Sequence, residues 1–285
     1  MNEYSMILII IVLCSAIFQS TCEDEQIGQN RLEDEDINPF GVIYSKVFPH
    51  EVQGYKALIL ESQLYTSDEV QLIKEKEVNA FAYLSLGEVN ESRWYFDELQ
   101  EIGFLGQNEF WGSYFIDLKN ERVKNLYIEE VIPRILEKGF DGLFLDTIDA
   151  VAPYTPRSEY KTDMVKLINE IRDQFPDIVM IQNGGDFLLS EVENSIDGYA
   201  KEDIASAYDF NTSSYNLEEE GPYNVSIASI RAIQENFKLP ILIIDFADSD
   251  SLATQITQRL DTTGFNYFIS TIELNKLPLI HNTNR

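Results

Sequence analysis

The sequence predicts an α/β fold, a (β/α)8 TIM-type barrel with an elaborated loop after its third strand. Three observations carry that expectation. Eight short apolar runs alternate with segments of helical periodicity, most of the runs are apolar on consecutive residues, and several of them end in an acid or an amide. Consecutive apolar residues mark strands buried on both faces, as the strands of a parallel sheet are. A count of eight favours closure over an open doubly wound sheet. No Gly-rich phosphate loop follows the first run, which argues against a dinucleotide-binding alternative.

In chain order the runs cover residues 42–46, 57–60, 80–86, 142–146, 178–182, 198–201, 241–246 and 266–270. The segments between them read as helices. Thr66 and Glu69 form a capping box that opens a helix near Ser67. Tyr160, Met164, Leu167, Ile168, Ile171 and Phe175 recur at steps of three and four and mark one helical face. Ile227, Ile230, Ile233 and Phe237 repeat the pattern, as do Leu252, Ile256 and Leu260. Residues 88–122 make a long loop after the third strand, with Trp94, Trp111 and an extra strand at 113–116. Loops of that length on the C-terminal face of a barrel shape a substrate cleft.

Ahead of the barrel, residues 6–18 are apolar except for Ser15. Such a run is too short to span a bilayer and fits the apolar region of a signal peptide. The expected organisation is a signal peptide over 1–21, an acidic tether over 22–38 and the barrel domain over 39–285. Cys22, after Ser20 and Thr21, resembles the lipidated cysteine of a bacterial lipoprotein, so a lipid anchor there stands beside plain secretion and an uncleaved anchor. The stretch 23–36 has too few large apolar side chains to offset its ordering entropy, hence its reading as a tether. The chain is expected outside the cell or at its surface, as a monomer.

Acidic residues outnumber basic ones 49 to 21, a formal charge of −28 that disfavours nucleic acid and anionic membranes as partners. The same charge suits either a cationic substrate such as an amino-sugar polymer or simple solubility. The two histidines, His50 and His281, exclude a three-histidine metal site. Both cysteines, Cys14 and Cys22, precede the barrel, so thiol nucleophiles and cysteine-zinc sites in the body are excluded.

What remains for chemistry is a set of polar residues closing apolar strands: Glu61, Glu88, Asp146 with Asp149, Asn183, Glu202 with Asp203, and Asp245 with Asp248. In a barrel these strand ends converge on one face. A strand-ending Asp also caps the helix that follows in many proteins. With no histidine or cysteine to share the work, the reaction best served by carboxylates is glycosidic cleavage. A rival reading places Asp146, Asp149 and Asp245 around Mg²⁺ or Ca²⁺.

The stretches Tyr83-Leu-Ser-Leu-Gly-Glu88, Phe140-Asp-Gly-Leu-Phe-Leu-Asp146, Gln182-Asn-Gly-Gly185, Gly198-Tyr-Ala-Lys-Glu202 and Ile244-Asp-Phe-Ala247 resemble glycoside hydrolase family 114. That family holds endo-α-1,4-polygalactosaminidases and extracellular relatives, and the resemblance covers roughly residues 40–274. It implies a TIM-type barrel that hydrolyses a galactosamine-containing polysaccharide without a metal or other cofactor. By the same resemblance Asp146 and Glu202 are the catalytic pair, and Tyr83, Glu88, Asp149, Asn183 and Asp245 bind sugar or orient that pair. Trp94 and Trp111, in rim loops, are expected to stack on sugar rings. The alternative is a barrel that keeps the cleft and binds glycan at the cell surface without cleaving it.

Overall fold

A computed structural model describes residues 32–278, so the expected signal peptide, Cys22 and His281 lie outside the described residues. Strands β1 (Phe40–Ile43), β2 (Ala57–Leu60) and β3 (Asn79–Ser85) run parallel as neighbours. The chain then leaves the barrel to form a small antiparallel sheet of β4 (Glu88–Val89), β5 (Phe104–Asn108) and β6 (Ser113–Ile116). It returns with β7 (Gly142–Asp146), β8 (Val179–Asn183) and β9 (Gly198–Glu202). A hairpin of β10 (Ser206–Asp209) and β11 (Ser214–Leu217) follows, and β12 (Ile241–Phe246) and β13 (Asn266–Ser270) complete the ring.

The eight-stranded sheet has the order β1-β2-β3-β7-β8-β9-β12-β13, parallel throughout, with helices such as Ser67–Lys74, Lys161–Gln174, Glu220–Phe237 and Asp250–Leu260 between strands. This is the (β/α)8 architecture that the apolar runs predicted. β13 packs back on β1, where the Phe40 and Phe268 rings lie 6.0 Å apart and the Tyr44 N–H donates to the Leu274 carbonyl at 2.8 Å. Every residue of β2 and β12 is buried, the reason those runs are apolar without alternation. Among the described residues no helix is long and apolar enough to cross a membrane.

Two Asp-Gly pairs pin the register of the strands that matter most. Asp141 accepts from the Ala80 N–H at 2.8 Å and Asp197 from the Met180 N–H at 2.8 Å, each carboxylate sitting just ahead of its own strand and holding the first residues of the strand beside it. Lys74 and Arg172 neutralise the two carboxylates at 2.6 and 2.5 Å. Gly142, next in sequence to Asp141, lies so close to the Val179 backbone that a Cβ there would overlap it.

The structure departs from the sequence reading in three places. β1 ends at Ile43 rather than at residue 46, which moves Tyr44 from strand interior to barrel rim. The hairpin β10–β11 was not anticipated, because its strands are short and mostly half-exposed and carry no apolar run. The expected tether is already part of the packed body by Leu32. A short helix, Asp34–Ile37, lies against the N-terminal ends of the strands, with Leu32 and Ile37 buried. Asn79 donates to the Asp36 carbonyl at 2.9 Å and Asn266 to the Asp34 carboxylate at 3.0 Å, tying that helix to the starts of β3 and β13. Two apolar side chains suffice here because the barrel floor supplies the surface that buries them. Ile37→Ala should therefore cost about 2–5 kcal/mol in urea unfolding, the cost of a core truncation; a loss below about 0.5 kcal/mol would mark the segment as a mere tether.

Candidate active site

Because all eight strands are parallel, their C-terminal ends lie on one face, and that face holds a cavity of about 660 Å³. Tyr44, Tyr83, Glu88, Trp111, Asp146, Asp149, Asn183 and Glu202 line it. The centre is made by three adjacent strands. Asp146, Asn183 and Glu202 are the last residues of β7, β8 and β9, so the amide stands between the two acids. Asn183 Nδ2 donates to Asp146 Oδ1 at 2.9 Å and to Glu202 Oε1 at 2.8 Å. Those two lengths together cap the separation of the two oxygens at 5.7 Å.

Burial, and after it the charge of Asp146, pushes the Glu202 carboxyl up to about 8, against the pull of the Asn183 hydrogen bond. Glu202 is thus an acid that keeps its proton near neutrality. The Tyr83 hydroxyl is hydrogen-bonded to Asp146, and burial first, then the Asp146 charge, raises it far above the usual phenol range, so it stays a donor. Tyr44 meets the Tyr83 ring edge-on at 4.5 Å and is raised by the same two causes. Arg93, 5.3 Å over the Tyr83 ring, is ion-paired with Glu61, and both partners are nearly buried. Asp149 is raised by burial and faces the Gly185 N–H at 3.4 Å. Gly184 and Gly185 both have φ of +66°, and a Cβ on Gly184 would collide with the Asp149 carboxylate, which accounts for the paired glycines after Asn183.

Other expected site residues go elsewhere. Glu88 does line the cavity, but its carboxylate is occupied by the Ser113 hydroxyl and by Asn108 Nδ2 at 3.2 Å, bracing the small β4–β6 sheet. Asp245 is fully buried and does not line the cavity. It accepts from the Ile204, Ala205 and Ser206 N–H groups and from Ser206 Oγ at 2.8–3.0 Å. The expectation that it touches sugar is corrected to a structural role, since those donors tie down the turn that follows Glu202. Asp146, Asp149 and Asp245 accordingly do not converge. Trp94 does not line the cavity; its ring is covered by the Arg134 guanidinium at 4.4 Å instead. Asp203 takes a left-handed φ of 54° and accepts from Ser206 Oγ at 3.2 Å, so of the two adjacent acids it is Glu202 that lines the cavity.

Tyr44, Lys201 and Glu273 line the cavity without having been singled out as site residues. Lys201 is paired with Asp186 at 2.8 Å. Tyr44 was findable as the polar residue closing the first apolar run. The other two carry no signal in the sequence.

A model of glycoside-hydrolase family GH114 matches residues 36–284. An uncharacterized protein of Methanocaldococcus jannaschii is 24% identical over 221 residues, 70% of this chain and 61% of the relative. One of Thermotoga maritima is 24% identical over 180 residues, 57% of this chain and 55% of the relative, so the chain spans little more than half the length of these relatives. Among solved structures, the glycoside hydrolase domain of PelA from Pseudomonas aeruginosa has a TM-score of 0.75 at 22% identity, covering 85% of this chain and 97% of that one. Aspergillus fumigatus Ega3 in complex with galactosamine has a TM-score of 0.67 at 12% identity, covering 83% and 91%. At these identities the likeness establishes the shared barrel.

The raised Glu202 carboxyl has a consequence for stability. The native state holds this proton more tightly than the unfolded chain, so stability is lost as pH rises from the ordinary 4.5 towards 8. Glu202→Gln, which has no proton to lose, should melt higher than wild type at pH 8.5, with the difference shrinking towards pH 4.5. Equal melting temperatures across that range would show that Glu202 titrates normally.

Proposed function

Because the chain belongs to glycoside-hydrolase family GH114, we propose that it is an exported hydrolase of a galactosamine-containing polysaccharide that retains anomeric configuration, with Asp146 and Glu202 as the reacting pair. The observation that carries the mechanism is the Asn183 bridge. Carboxyl groups about 5 Å apart suit direct attack on the sugar, whereas a water-activating pair needs roughly 6.5–9.5 Å. The two bridged oxygens lie within 5.7 Å of each other, which is compatible with the first geometry.

In the first step the Asp146 carboxylate attacks the anomeric carbon as protonated Glu202 gives its proton to the glycosidic oxygen, and the C–O bond breaks. In the second, the Glu202 carboxylate takes a proton from water, the water oxygen bonds to the anomeric carbon, and the Asp146 ester is released. Tyr83 and Asn183 hold Asp146 in line by hydrogen bonds, while Tyr44 fills the space beside both acids. No cofactor enters these steps.

An amino sugar as substrate is supported by the excess of acids in the chain and by Asp149 and Glu273 in the cavity wall, which favour a cationic ligand. The galactosamine complex of the similar Ega3 barrel points to the same class. Residues 1–21 as a signal peptide, with Cys22 as a lipid anchor, would deliver the barrel to the outer face of the cell, where such polymers lie. The same charge makes nucleic acid a poor partner, and a monomer is expected.

Incubation of the purified protein with an α-1,4-linked galactosamine polymer should release reducing ends, with the α-anomer appearing first by proton NMR. Glu202→Gln and Asp146→Asn should each lower kcat by roughly 10²–10⁴-fold. The wild-type rate should fall as pH rises through about 8, as Glu202 loses its proton. Protein that binds the polymer yet releases no sugar would instead be a glycan-binding barrel.

A further inference from the structure

The insertion after β3 and the β10–β11 hairpin leave the barrel at its third and sixth strands, yet they meet through aromatic rings. Trp111 stands edge-on to Phe210 with centroids 5.3 Å apart, Phe110 lies 5.5 Å from the same ring, and Tyr208 backs it at 4.9 Å. Tyr215 in turn supports Tyr208 at 4.8 Å. Despite these contacts Phe110, Trp111 and Phe210 remain 67%, 53% and 39% exposed. A clustered, water-facing apolar patch of this kind marks a binding surface.

Two further observations say what covers it. The patch is continuous with the catalytic cavity, because Trp111 lines that cavity while Phe110 and Phe210 lie beyond it. In the strand order, β7 and β8 come between the roots of the two hairpins, so the rings join across the side of the rim that carries Asp146 and Asn183. An acid also precedes each outer ring. Glu109 is exposed next to Phe110, and Asp209 stands next to Phe210 at the hairpin tip, held there by the Asn211 N–H at 2.8 Å. Rings flanked by carboxylates fit a ligand with an apolar face and a positive charge.

We propose that Phe110, Trp111 and Phe210 form a second carbohydrate subsite, running from Trp111 in the cavity wall outward over Phe110 and Phe210, that stacks on the C–H face of one hexosamine unit of the polymer away from the bond cleaved. Glu109 and Asp209 receive the ammonium group of that unit. The proposal rests on the amino-sugar polysaccharide reading given above. Its effect is to hold a long chain while leaving the chemistry on the bound unit unchanged.

The test uses an α-1,4-linked galactosamine polymer and, as a short probe, an aryl α-galactosaminide. Phe110→Ala and Phe210→Ala should each raise KM for the polymer roughly 3- to 10-fold, the worth of one aromatic contact, with kcat unchanged and the aryl substrate turned over as by wild type. Phe210→Tyr should restore the polymer KM. Binding is read separately. With two tryptophans in the chain, Trp94→Phe leaves Trp111 as the sole reporter, and in a Glu202→Gln background the polymer should quench its fluorescence, several-fold more weakly when Phe210→Ala is added. Quenching that depends on Phe210 without any hydrolysis by the parent protein would keep the subsite and remove the activity. Hydrolysis with polymer KM unchanged in both alanine variants would remove the subsite alone. Equal loss on polymer and aryl substrate would reduce the rings to props of the cavity and overturn the proposal, and absence of both quenching and hydrolysis would overturn both readings.

Discussion

One amide group organises the centre of this barrel. Adjacent parallel strands are spaced about 4.8 Å apart, so acids at the ends of β7 and β9 start two spacings from each other with β8 between them. The side chain of Asn183 fills that interval and gives one N–H to each acid. A carboxylate in its place would add a third negative charge, and a glutamine would carry the donor one methylene too far. The bridge makes it possible to hold two half-buried carboxyl groups close together, with one of them keeping its proton.

The rest of the fold preserves that spacing. The clamps of Asp141 and Asp197 fix the registers on either side of β7 and β9 from the floor of the barrel, while Asp245 ties the turn after Glu202 at the rim. Tyr83 holds Asp146 from the β3 side, and Tyr83 is itself covered by the Arg93–Glu61 ion pair. Six acids are thus spent in two ways. Those with nearby N–H, guanidinium or ammonium donors are structural, and only Asp146 and Glu202 share a single amide in an open cavity. Position at the floor sets Asp141 and Asp197 apart; among the acids of the rim, Asp245 is held by three backbone N–H groups and Glu61 by a guanidinium, whereas Asp146 and Glu202 meet only neutral side-chain donors.

The loops divide along the same line between local and long-range causes. The capping box at Thr66 and the helices of 3.6-residue period form where the spacing predicts them, because each depends on neighbours three and four residues away. The strands did too, within one to three residues at their ends. Trp94 and Trp111 looked alike in sequence, both in a long rim loop. Arg134, on another segment, covers the first, and the unanticipated β10–β11 hairpin brings Phe210 to the second. Asp245 looked like Asp146 for the same reason, each closing an apolar strand, until the Ile204–Ser206 backbone turned out to consume its lone pairs. The helix at Asp34–Ile37 was hidden in an acidic stretch because its two apolar residues are buried by surface that lies 40 or more residues away.

Sequence alone determined the eight-stranded α/β architecture, the exclusion of a three-histidine metal site and of cysteine chemistry from the body, and the short roster of acids at strand ends, since composition, apolar runs and their polar terminators are read from the residues themselves. Tertiary structure decided which of those acids face a common cavity, which are neutralised by backbone donors, and that one amide bridges Asp146 and Glu202. Those outcomes depend on contacts between strands and loops far apart along the chain, and electrostatics in a closed barrel is set by such contacts rather than by residue identity.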